Sequence, residues 1–160
     1  MVVTFYFIIS WMMIGLLTFN RKRSWGSLRE IFFLILFTCL INTHTYLGLF
    51  ETFKWIKTTT NPKLYVAFLL FRSVFIPVFM TYFTLLIFNQ SLKRMLYLVL
   101  LFSGIILALD KIGLSSNMYA FKKWNLFYTF SYYIALLFLA LFALRWFRGL
   151  KTMSGGVNGR

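Results

Sequence analysis

Chemistry in this chain rests on very few residues. Three acids (Glu30, Glu51, Asp110), one histidine (His44) and one cysteine (Cys39) are set in a sequence that is 61% apolar. A single histidine excludes haem ligation by a histidine pair within the chain, and zinc lacks the ligand set it needs. Cys39 has apolar neighbours, where a thiol is inert, and no resolving partner. HExxH, GxSxG, P-loop and glycine-rich dinucleotide patterns do not occur. Three scattered acids do not supply the carboxylate cluster of metal-dependent phosphoryl transfer. No cofactor or metal is expected, and an enzyme is the weakest function class. It would require a deep pocket gathering Glu51, Asp110 and His44.

Polar residues inside apolar stretches are costly and mark the places where function concentrates. The candidate intramembrane site is His44, Arg72, Asp110 and Tyr132, with Asn42, Glu51, Ser73 and Pro77 as secondary members. Helical side chains lean toward the helix N-terminus. On helices of opposite direction that lean brings Arg72 and Asp110 toward each other, at about 12 and 6 Å from their respective helix ends. Three readings of Arg72 follow: snorkelling to headgroups, an ion pair with Asp110 or Glu51, or a ligand or ion site. His44, Gly48 and Glu51 share a stripe at i, i+4 and i+7, the arrangement of a proton relay; a histidine bonded to a neighbouring helix is the plainer reading. Ser73, Pro77, Thr81 and Thr84 form another stripe. Pro77 has no N–H for the Ser73 carbonyl, so a kink and a freed oxygen are expected, usable for a cation site or for helix packing.

These residues need elements to hold them, and the composition says which. Five apolar blocks run over Val2–Phe19, Ile31–Phe50, Leu64–Phe88, Met95–Leu114 and Leu126–Leu144. Each is near the roughly 20 residues a helix needs to cross a bilayer. Unpaired backbone is not tolerated in lipid, so the expected fold is all-α, an integral membrane bundle of five transmembrane helices. One transmembrane domain spans residues 1–150, followed by a flexible cytoplasmic tail over 151–160. Neither an internal repeat nor a soluble domain is expected.

Charge sets the direction. The net charge is +14, with 17 Lys and Arg against the three acids. With the N-terminus outside, inner segments hold ten of the basic residues (Arg21, Lys22, Arg23, Arg29, Lys93, Arg94, Arg145, Arg148, Lys151 and Arg160) and outer segments six, with Arg72 inside a span. That bias follows the positive-inside rule. The first block lacks a basic leader and a small-residue cleavage site, and so reads as a retained span. Trp25 and Trp146 fall at the inner boundary, Trp55 and Trp124 at the outer, and only Trp11 mid-span, as indole rings prefer. Ser27-Leu28-Arg29-Glu30 fits a capping box for the second helix. Gly104 with Ala108, and Ser131 with Ala135, read as close helix contacts. Asn89-Gln90-Ser91 matches a glycosylation sequon but falls on the inner side, where it would be unused.

The basic residues lie in loops beside spans. They read as orientation signals and contacts to anionic headgroups of membrane lipids, and no nucleic acid partner is expected. The composition has the general look of small, basic, Phe-rich multi-pass proteins of bacterial plasma membranes, which is the expected location. The first span carries no membrane-embedded acid, unlike familiar small transporters. The leading expectation is a non-enzymatic accessory, assembly or sensing subunit, working with another membrane protein or as a homo-oligomer. A small transporter or channel using the polar cluster stands second. Transport would gain from a polar stripe continuing into the inner half on at least two helices.

Overall fold

In the computed structural model, which describes residues 2–20, 27–88 and 90–155, the second helix begins where the sequence supplies a cap. Ser27 Oγ accepts from the Glu30 N–H at 3.4 Å, and the Ser27 N–H donates to Glu30 Oε2 at 3.2 Å. Both halves of the capping box are formed. The same Glu30 carboxylate meets Arg148 of the last helix at 3.0 Å, and the Arg148 guanidinium lies 4.2 Å from the Phe88 ring. One acid thus starts a helix and ties three spans together at that end. Arg21, Lys22, Arg23, Trp25, the sequon residue Asn89 and positions 156–160 of the tail lie outside the described residues.

The helices are α1 (Val2–Asn20), α2 (Leu28–Leu47), α3 (Pro62–Leu70), α4 (Ile76–Ile87), α5 (Leu92–Ser115) and α6 (Leu126–Gly155). A π turn over Gly48–Thr52 extends α2, and another over Phe71–Phe75 joins α3 to α4. Five of the resulting helices are long and apolar enough to cross a membrane: Val2–Phe19, Leu28–Thr52, Pro62–Ile87, Leu92–Ser115 and Leu126–Leu150. The last helix continues to Gly155, into the segment expected to be a loose tail.

The third span is the centre of the bundle. Its apolar window is 61% buried, against 22–33% for the other four, because α1, α2, α5 and α6 all pack on it. Phe71, Phe75, Phe79 and Phe83 recur every four residues, so they stand one above another on one face. Their ring centroids are 5.7, 5.1 and 4.8 Å apart, and Phe102 of α5 closes on the last two at 5.3 and 5.2 Å. Each such pair contributes about 0.5–1.5 kcal/mol beyond area burial. The ladder runs along the helix on which the others pack, so it is a main source of cohesion in the bundle.

Two loops join at one end of the bundle. Strand β1 (Ile56–Thr58) pairs antiparallel with β2 (Tyr119–Phe121), in the register Ile56–Phe121, Lys57–Ala120 and Thr58–Tyr119. Trp55 and Trp124 meet beside it at 6.0 Å. The loops after the second and fourth spans therefore share one end, as alternating antiparallel helices require. Residues Lys54 and Asn117 turn the chain into this pair with φ of 52° and 54°. The small-residue pairs behave otherwise than expected: Gly104, Ala108, Ser131 and Ala135 face out of the bundle, and a Cβ on Gly104 would meet nothing within 4 Å. The close approach instead involves Gly113, whose added Cβ would stand 3.0 Å from the Tyr119 ring.

Candidate functional site

Pro77 explains the local geometry around Arg72. Without an N–H it cannot bond a carbonyl of the preceding turn, and the chain answers with the π turn over Phe71–Phe75, where the Ile76 N–H reaches back to the Phe71 carbonyl. The carbonyls left over are satisfied from α2. Asn42 Nδ2 donates to the Arg72 carbonyl at 2.8 Å, and the Cys39 thiol approaches the Ser73 carbonyl at 3.9 Å. Tyr132 of α6 donates to Asn42 Oδ1 at 3.0 Å. Asn42, the Arg72 backbone and Tyr132 thus form one chain of hydrogen bonds across three spans. The freed oxygens expected at Pro77 exist, but neighbouring side chains have taken them.

Arg72 does not snorkel. It is only 6% exposed, its guanidinium lies on the Tyr46 ring, and the Phe68 and Phe50 rings stand 5.1 and 5.8 Å away. It also forms no ion pair: among the described residues the one salt bridge is Arg148–Glu30. The expected contacts with Asp110 and Glu51 are absent because aromatic rings hold the guanidinium on the α2 side. Its Nη1 has no hydrogen-bond partner.

Asp110 is held separately. Its Oδ1 accepts from the Tyr119 hydroxyl at 2.6 Å, while Oδ2 is buried with no partner. Burial, and then the adjacent Asp110 charge and hydrogen bond, push the Tyr119 phenol well above its usual pKa, so it remains a donor; Arg72 nearby pulls the other way. Tyr6 reinforces this corner by donating to the Leu109 carbonyl at 3.0 Å.

Between α2 and α3, under the strand pair, lies a cavity of about 450 Å³. Arg72, Asn42, Thr43, Ser73 and Glu51 give it polar walls, and Tyr46, Phe50, Phe68 and Leu69 apolar ones. Lys54, Lys57 and Lys122 stand at the hairpin end. The cavity exists because α2 packs along α4 and the π turn, whereas α3 leans on α1, leaving a gap between α2 and α3.

Of the residues singled out from sequence, Asn42, Glu51, Arg72 and Ser73 line this cavity, and Tyr132 supports it through Asn42. Pro77 is buried below, shaping the π turn. Asp110 is buried outside the lining, and His44 is exposed with Nδ1 donating to the Leu40 carbonyl at 2.9 Å. The proposed His44–Glu51 stripe is broken by the π turn over Gly48–Thr52, which advances fewer degrees per residue than an α-helix and rotates Glu51 to the cavity. Glu51, Asp110 and His44 do not gather in one pocket, and among the described residues no three His, Cys, Asp or Glu side chains come together. Sequence reasoning missed Phe68, Tyr119 and the lysine rim, and placed Tyr46 in the polar run of α2 without giving it a role.

No family model matches this chain, and no curated protein or solved structure is significantly similar to it.

Proposed function

We propose that this chain is a small multi-pass plasma-membrane protein, N-terminus outside and C-terminus in the cytoplasm, acting as a non-enzymatic accessory or sensing subunit. Its cavity is the recognition site for an anionic group, and another membrane protein or a second copy receives the signal. Arg72 carries this reading. Burying an unpaired cation costs several kcal/mol. Contact with aromatic faces returns about 2 kcal/mol when desolvated. A bound anion would supply the remainder, since Arg72 lines the cavity and forms no ion pair among the described residues. The floor of the cavity also favours recognition over passage. Below it stand the packed rings of Phe75, Phe79, Phe83 and Phe102, and the hydroxyls of Ser10, Thr38, Thr81 and Ser103 are each bonded to their own helix.

Transport is the second reading. It rests on Asp110 Oδ2 and the Tyr133 and Thr84 hydroxyls, all buried without a partner. Two measurements separate the readings. Inorganic phosphate or sulfate raises the Tm of the purified protein but not that of Arg72→Gln if the cavity recognises anions. In proteoliposomes, solute or proton flux that vanishes in Arg72→Ala would replace the accessory reading with transport.

A further inference from the structure

We infer that the anion is the phosphate headgroup of a membrane lipid, reaching Arg72 sideways between α2 and α3. The inference rests on the recognition-site reading above and adds the source of the ligand. Cavity size is the first support. At about 450 Å³ it suits a headgroup, and an amphiphile would leave its chains outside. The walls are the second. Leu47, Tyr65 and Leu69 belong to spanning helices, line the cavity and are 47%, 43% and 41% exposed, so apolar side chains flank its opening. Acyl chains passing there would stay in hydrocarbon, whereas a wholly water-borne ion would gain nothing from those residues.

Charge is the third support. Arg72, Lys54, Lys57 and Lys122 face a single acid, Glu51, giving the lining a net charge of +3. None of the three lysines is ion-paired among the described residues. The fourth support is depth: Arg72 lies ten residues into the third span, about 15 Å along the helix from Pro62. Either phosphate loses its hydration at that depth, but a lipid phosphate is already concentrated beside the span by its acyl chains. A planar guanidinium offers a phosphate two parallel donors, which a zwitterionic headgroup's own cation would oppose.

Titration of the delipidated full chain, read by native mass spectrometry, tests this with three ligands: phosphatidic acid, phosphatidylcholine and inorganic phosphate. One phosphatidic acid binds per chain, at a concentration about tenfold or more below that for phosphatidylcholine, as charge-assisted hydrogen bonds imply. Arg72→Gln removes that preference. Leu69→Trp, which narrows the opening, weakens the lipid and leaves inorganic phosphate unchanged. Should Arg72→Gln not fold, the exposed pair Lys57→Ala with Lys122→Ala is used, and the preference for phosphatidic acid shrinks severalfold. Equal binding of the two lipids, or an unchanged preference in a folded Arg72→Gln, overturns the inference. If inorganic phosphate binds through Arg72 and lipids do not, the lipid source is wrong and the recognition site stands. If neither binds through Arg72, both fail.

Discussion

Asn42→Leu tests whether Pro77 makes the Arg72 carbonyl depend on a side chain from another helix. Asn42 is 2% exposed and makes two bonds, to the Arg72 carbonyl at 2.8 Å and from Tyr132 at 3.0 Å. Hydrogen bonds between membrane helices average about 0.6 kcal/mol each. A buried carbonyl left without a donor adds about 1 kcal/mol or more. The substitution should therefore cost about 2 kcal/mol, read by reversible SDS-titration unfolding in mixed micelles. Tyr132→Phe alone removes one of the two bonds and should cost about 0.6 kcal/mol. The decisive comparison is made in a Pro77→Ala background. Alanine restores an N–H, the turn can reclaim its carbonyls, and Asn42→Leu should then cost about 1 kcal/mol less. If its cost is the same in both backgrounds, within the roughly 0.3–0.5 kcal/mol of ordinary additivity, the account of the π turn is wrong.

Gly113→Ala places a methyl group 3.0 Å from the Tyr119 ring, pushing the hydroxyl off Asp110. Amide exchange across 56–58 and 119–121 should accelerate, while the middle of α4 stays protected. Glu30→Ala removes both an N-cap partner and the Arg148 bridge, whose arginine side chain is 30% exposed. Screening keeps the bridge to about 1 kcal/mol or less, and loss of the cap adds a similar amount, measurable as a shifted SDS midpoint. Topology is checked with cysteines placed at Lys57, Lys122 and Arg145 in a Cys39→Ser background. Impermeant reagent added outside cells should label the first two and not the third. Labelling at position 145 alone would invert the orientation.

The architecture was legible because it depends on sums. About twenty mostly apolar residues make a helix long enough to cross a membrane whichever residues they are, and the Ser27–Glu30 spacing marks where one begins. Half of the site was legible for the same reason, since Asn42, Arg72, Ser73 and Tyr132 are costly in lipid wherever they point. Directions were not. His44 and Glu51 parted because a π turn changed the rotation between them, and no residue type announces such a turn. Pro77 signalled that carbonyls would be freed without saying which neighbour would take them. Axial depth and opposite side-chain leans bring Arg72 and Asp110 toward each other, but neither reports that Tyr46 draws the guanidinium to the other side. The strand pair was invisible, since three residues each of Ile-Lys-Thr and Tyr-Ala-Phe are too short to show a period. Tyr119, which holds Asp110, went with it.

Under the proposed function, Arg72 keeps the cavity positive and open to anions. A cysteine at Thr43, an exposed residue of the lining, reports this in a Cys39→Ser background. Its rate with a sulfonate-bearing thiosulfonate is divided by its rate with the trimethylammonium analogue, and the ratio is measured again with Arg72→Gln. A severalfold lower ratio is expected once Arg72 is neutral, with no such change at a control cysteine replacing Thr60, which is exposed outside both the spans and the cavity lining. A ratio at position 43 that does not move contradicts it.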